Sequence, residues 1–250
     1  MHTITYLFMP LHEPLNGRHI YARGLHGFLF NVTGQTDRQE SDWLHHHPTP
    51  RPFTLVPLYS DDGYLAGLRL SALTDRAATL FQRTGEWFQN TGRPCHLGGR
   101  EFIIQETYVV PGPSWAQLAL SQPTQQIGLR FISPTAFKQG PRHLPLPLPA
   151  NVFNGPVRMW HAFAPPMITL PPDWLDWCAQ NVFVTQHHIE TATVTIDKNE
   201  RFTGFVGEVW FEVHRGEDLA LRAWQALADL AVFCGVGHKT TMGMGAVERL

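Results

Sequence analysis

Cysteine is scarce in this chain: Cys95, Cys178 and Cys234 are the only three among 250 residues, far apart and without a CxxC pair. An odd, scattered set argues against a disulfide framework and against a cysteine-built zinc site. Net charge is equally scant, formally −2, with 19 Lys and Arg against 21 Asp and Glu. No global basic field draws a polyanion, so binding nucleic acid needs a local basic surface, with 14 histidines in reserve. Long apolar runs are missing as well. No segment approaches the roughly 20 apolar residues of a bilayer span. The opening MHTITYLFMPLHEP reads as a strand and lacks a charged region followed by an apolar stretch. These absences set the expectation of a soluble, cytoplasmic protein with no membrane contact.

What is present is material for a core. Hydrophobic residues make up 43%, and 16 phenylalanines and eight tryptophans supply large pieces, enough for one large domain or two small ones. The pattern favours two. Residues 3–9 alternate as a strand, 18–32 read as a helix, and a polar segment, 38–46, leads to three consecutive histidines. Phe53–Tyr59 and Tyr64–Ser71 flank SDDG as a hairpin, LTDRAATLFQRTGEWFQ reads as a helix opening near Thr74 or Asp75, and REFIIQETYVV is a strand. The second half repeats the order: a strand in QIGLRFISPTAFK, helical material at 151–163 and 173–180, and long strands near 182–196 and 201–214. An amphipathic helix follows in GEDLALRAWQALADLAVF, with Leu219, Ala223, Ala226, Leu227 and Leu230 assigned to its apolar face, then a glycine-rich loop and a short strand. Each half reads β-α-β-β-α-β. The expected fold class is α+β, two tandem ferredoxin-like domains, spanning residues 1–113 and 114–250.

The most distinctive stretch is CGVGHKTTMGMGAVERL. Glycines at 235, 237, 243 and 245 form two GxG pairs around a basic, hydroxyl-bearing centre. A dinucleotide fingerprint needs a strand before its glycines and a helix after, and a P-loop needs GK[ST] opening a helix; here the helix comes first and little chain follows. The remaining reading is a flat loop beside a sheet, whose bare backbone lets a nucleic-acid strand approach while His238, Lys239, Thr240 and Thr241 contact phosphates. A glycine-rich turn that only allows tight packing is the competing reading.

The tail resembles the glycine-rich loop of the CRISPR-associated repeat-cleaving endoribonucleases, in which an apolar-flanked glycine pair, a lysine with a hydroxyl residue, and a second glycine pair recur before a final strand. Gly235-Val236-Gly237-His238-Lys239-Thr240-Thr241-Met242-Gly243-Met244-Gly245-Ala246-Val247 follows that pattern. FISPTAF (131–137), PLPANVFNGPVRMWHAFAP (147–165), FTGFVGEVWFEV (202–213) and WLHHHPTPRPFTLVPLY are similar to family blocks in the same order. The resemblance implies cleavage of CRISPR precursor RNA within its repeats to release guide RNAs, without metal or cofactor, by attack of the substrate's 2′-hydroxyl on the adjacent phosphorus. The products would be a 2′,3′-cyclic phosphate and a 5′-hydroxyl. The implied partner is repeat RNA, as single strand or hairpin, with a CRISPR effector complex as a further possible partner and a monomer or homodimer as the state. A catalytically weak RNA-binding relative, or a structural subunit of an effector complex, is the alternative.

Such chemistry needs a base, an acid and a cation at the phosphate, and histidine near neutrality suits both proton transfers. The resemblance puts the catalytic position on His45, after Leu44, with His46 and His47 as neighbours, and puts Arg51 at the basic RNA-contacting position before the strand. On the first helix Leu25, Phe28, Leu29 and Val32 form an apolar stripe, opposite His19, Arg23 and His26. His26 is the expected second proton-transfer group and Arg23 the expected phosphate cation; which imidazole is acid and which base stays open. Gly235, Gly237, His238, Lys239, Thr240, Thr241, Gly243 and Gly245 form the expected RNA grip. A metal site at the histidine triple is the weakest reading, because adjacent side chains rarely converge on one ion.

Overall fold

The computed structural model describes residues Met1 to Leu250, which fall into two compact units. The first comprises Met1–Gly112, Val194–Arg201 and Thr241–Gly243; the second comprises Pro113–Thr193, Phe202–Thr240 and Met244–Leu250. Both are tandem copies of one architecture, the ferredoxin-like α+β fold.

In the first unit the elements are β1 (His2–Pro10), α1 (Ala22–Thr36), α2 (Arg38–His46), β2 (Phe53–Tyr59), β3 (Leu65–Ala72), α3 (Asp75–Thr91), β4 (Cys95–Leu97) and β5 (Arg100–Pro111). The sheet runs β2-β3-β1-β5-β4, with β1 antiparallel to both β3 and β5. Removing the short edge strand β4 leaves the order that β-α-β-β-α-β wiring produces when each hairpin-linked strand and each crossover strand flank the first. Alternation places Ile4, Tyr6 and Phe8 of β1 on the covered face, where Phe53, Phe81, Phe88 and Phe102 are also fully buried. Each such phenylalanine stabilises the fold by about 1.5–3 kcal/mol relative to an exposed ring. Thr74 caps α3, its hydroxyl accepting from the Ala77 N–H, and Gly92 closes the helix in the left-handed region at φ 63°. The sequence did not point to β4.

The first helix starts later than its polar periodicity suggests. Gly17–His19 form a separate 3-10 turn, and Tyr21 is the cap that opens α1. His19 therefore does not share a helical face with Arg23 and His26, which corrects that expectation. The apolar stripe of Leu25, Phe28, Leu29 and Val32 is buried, as its spacing requires.

The second unit contains α4 (Trp115–Ala119), β6 (Gln126–Thr135), β7 (Phe137–Gln139), β8 (Arg142–Leu144), α5 (Pro149–Phe163), α6 (Trp174–Asn181), β9 (Val182–Thr195), β10 (Arg201–Val213), α7 (Asp218–Cys234) and β11 (Val247–Arg249). Its main sheet runs β11-β6-β10-β9, the same order as in the first unit, while β7 and β8 form a separate ribbon. Phe153, Phe211 and Trp224 meet edge-on in its core. Leu219 is 64% exposed, and the buried face of α7 is carried instead by Leu221, Ala223, Trp224, Leu227 and Leu230. One residue past the start of a helix, an apolar side chain can still turn away from the core.

Candidate active site

The site begins with how α1 and α2 are joined. Asp37 ends the first helix and caps the second, its carboxylate accepting from the Glu40 N–H. One turn on, the buried hydroxyls of Thr33 and Ser41 share a hydrogen bond of 2.8 Å, and Leu44 is fully buried. With Leu44 turned inward, the next residue, His45, emerges exposed beside α1. Its ring lies 4.7 Å from Phe30, which in turn lies 4.8 Å from His26. The two imidazole centroids are 6.5 Å apart.

The histidine triple thus splits three ways. His45 faces His26. His46 Nδ1 lies 2.8 Å from the Asp42 carbonyl, and His47 Nδ1 lies 2.7 Å from the Pro48 carbonyl with its ring against Trp43. No three His, Cys, Asp or Glu side chains gather where they could hold a metal ion.

His26 is half-buried, and its Nδ1 lies 3.0 Å from the Thr241 carbonyl oxygen. A carbonyl only accepts, so Nδ1 carries the proton and Nε2 is left as the basic nitrogen. Desolvation lowers its pKa below the ordinary histidine value, the Thr241 bond opposes that, and the charges of Arg51 and His45 lower it further. His26 is accordingly a neutral imidazole at pH 7. Arg51 Nη1 donates to the Leu44 carbonyl at 3.2 Å and the His45 carbonyl at 2.7 Å, closing the C-terminus of α2. Arg51 is the cation whose charge bears on His26.

Arg23, the expected phosphate cation, is engaged by carboxylates in this structure. Its guanidinium is paired with Asp197 at 2.5 Å and Glu200 at 3.3 Å, and its backbone N–H donates to Ile196. Those carboxylates stand over 170 positions away in the chain, so the helix face alone gave no sign of them. Here Arg23 anchors the first turn of α1.

The glycine-rich stretch also departs from its expectation. Gly235, Gly243 and Gly245 are buried rather than bare to an approaching strand. All four glycines have positive φ, and a Cβ would stand 2.6 Å from the Ala136 oxygen at Gly237 and 2.0 Å from the Val236 oxygen at Gly245. The residues around them are sewn to the FISPTAF block: His238 N–H donates to Ala136, Gly245 N–H to Pro134, and Ala246 N–H to the Ser133 hydroxyl. The glycines shape turns; His238, Lys239, Thr240 and Thr241 remain half-buried at the surface. The His238 ring stacks on His143 at 5.1 Å.

The cysteines take no part. Burial pushes the Cys95 and Cys178 thiols up to about 12 and raises Cys234 further, so none is a thiolate nucleophile at neutral pH.

Two facing imidazoles beside a guanidinium are groups of the kind that can supply a base, an acid and a cation. The family model for CRISPR-associated endoribonuclease Cas6 matches residues 129–247. The Cas6 endoribonuclease of Mycobacterium tuberculosis is 29% identical over 139 residues, which is 55% of this chain and 43% of that protein. The matched stretch therefore spans less than half the length of this curated relative. Among solved structures, a Cas6 product complex is 26% identical with a TM-score of 0.85 over the whole of both chains. Thermus thermophilus Cas6 is also 26% identical, with a TM-score of 0.74, covering 100% of this chain and 98% of that one. Over residues 129–247 this chain is similar to the Cas6 family of CRISPR-associated endoribonucleases, and its fold is that of solved Cas6 structures.

Proposed function

We propose that this protein is an endoribonuclease that cuts CRISPR precursor RNA within its repeats, without a metal ion, by intramolecular transfer to the 2′-oxygen. The observation that carries the reading is the facing pair of His26 and His45, 6.5 Å apart at the ring centroids, with Arg51 beside them. A phosphate lodged there meets an imidazole on each side.

His26 is the base. Its Nδ1 proton is committed to Thr241, so Nε2 takes the proton of the 2′-hydroxyl as that oxygen bonds to phosphorus. His45 is the acid, giving a proton to the departing 5′-oxygen as the P–O bond breaks. Arg51 stabilises the charge that builds on the non-bridging oxygens. The products are a 2′,3′-cyclic phosphate and a 5′-hydroxyl, with atoms and protons balanced between the two histidines. His238, Lys239, Thr240 and Thr241 hold the RNA.

The test is single-turnover cleavage of a repeat RNA. Cleavage is expected to persist in EDTA and to vanish when the nucleotide before the scissile phosphate is 2′-deoxy, since the nucleophile belongs to the RNA. Activity lost in EDTA and restored by a divalent metal would overturn the mechanism. Tight binding with no cleavage by the unaltered protein would instead favour an RNA-retaining relative.

A further inference from the structure

The glycine-rich stretch is read from sequence as a grip on RNA, yet its last part lies against the proposed base. We infer that Thr241–Gly243 is a positioning element for His26, with the Thr241 carbonyl selecting the tautomer that leaves Nε2 basic. The inference rests on the proposed endonuclease function and assigns a part of the motif to catalysis.

Three observations converge on it. The Thr241 oxygen stands 3.0 Å from His26 Nδ1 across 215 positions of sequence. Thr240–Met242 is a tight 3-10 turn, which fixes the direction of that carbonyl. Gly243, at φ 95°, seats the turn: a Cβ there would come 3.1 Å from Pro57 Cδ on β2 and 3.8 Å from Leu25 Cδ1, the residue preceding His26 on α1. Any side chain at 243 is strained by that backbone angle and pushed against the strand and helix that frame the base. Which imidazole nitrogen holds the proton is set by the hydrogen bond its partner nitrogen makes. Without the carbonyl, nothing reserves Nε2 for the 2′-hydroxyl. Arg51 and His45 are the charged or titratable groups that act on His26 from the neighbouring segments, and neither supplies an acceptor to Nδ1.

The experiment reads the tautomer directly. The ring nitrogens of His26 are followed by ¹⁵N NMR in the full chain at a pH where the imidazole is neutral, alongside single-turnover cleavage and RNA affinity. In the unaltered protein His26 is expected as the Nδ1–H form; finding Nε2–H would overturn the inference. In Gly243→Ala the Nδ1–H population is expected to fall, with cleavage at saturating protein slowed about three- to tenfold, the worth of one neutral hydrogen bond, and RNA affinity held. A second variant replaces the Thr241–Met242 amide with an ester, which weakens the carbonyl as acceptor and adds no Cβ; the same tautomer shift and slowing are expected. If either folded variant keeps the wild-type tautomer and loses only affinity, the segment is a grip and the inference fails. If the unaltered protein shows the Nδ1–H form but cuts no repeat RNA, the contact stands and the endonuclease reading falls.

Discussion

His45 and His46 are adjacent, exposed and chemically identical, yet only His45 faces His26 across the helices. The buried Leu44 turns His45 toward Phe30 and His26, while His46 turns back on the Asp42 carbonyl. His45→Ala is expected to slow single-turnover cleavage roughly 10²–10⁴-fold, the usual loss for one general acid or base. His46→Ala should stay within a few-fold of wild type, and a reversed order would place the acid on the wrong ring. Arg51 bears on the other imidazole. Its positive charge lies among the causes that hold the His26 pKa down, after desolvation. The base works unprotonated, so cleavage falls as pH drops through the His26 pKa, which lies below the ordinary value of about 6.5. Removing the charge in Arg51→Gln lets that pKa rise, and the acidic limb of the rate profile moves to higher pH. Arg51→Lys keeps a charge and should leave the limb nearly in place. A limb unmoved in Arg51→Gln would mean that Arg51 does not act on the base.

At the scale of elements, the clearest constraint is the seat of α3 on its sheet. A Cβ at Gly85 would lie 2.5 Å from Thr107 Oγ1 and 2.6 Å from Tyr6 Cε1. Helix propensity alone would reward Gly85→Ala by about 1 kcal/mol. The overlap is with side chains fixed between α3, β1 and β5, where overpacking costs about 1–3 kcal/mol, so the net effect is destabilising. A raised midpoint in urea for Gly85→Ala would show that the helix shifts freely on the sheet. Elements of this kind were largely legible in the sequence, because alternation in β1 and the stripe of α1 are local signals of burial. Thr74 as a cap was equally legible. Pairings across long separations were not: nothing near Arg23 foretells Asp197 and Glu200, and nothing near His26 foretells the Thr241 carbonyl. The candidate site was legible as residue types at suggestive spacings. Its cation and the orientation of its base depended on chain segments that only folding brings together.

For the molecule as a whole, charge sets how RNA is met. The formal balance is −2 with histidines neutral, and 14 histidines stand ready to change it. Lowering pH from 8 to 6 adds positive charge, so affinity for a 2′-deoxy, uncleavable repeat RNA should rise. The slope of log affinity against log salt should steepen as more phosphates are neutralised. On the acidic side of the profile, as pH drops through the lowered His26 pKa, cleavage of the ribose form should fall while affinity still rises, because His26 begins to bind the proton it must otherwise accept from the 2′-hydroxyl. Opposite trends in binding and rate would separate imidazoles that attract RNA from the imidazole that acts on it. The glycine-rich stretch divides these roles within a few residues. Lys239→Ala should weaken binding and reduce the salt slope by close to one phosphate contact, with the cleavage rate recovering at saturating protein. Affinity that stays flat from pH 8 to 6 would mean that lysine and arginine alone hold the RNA, leaving the histidines to chemistry and packing.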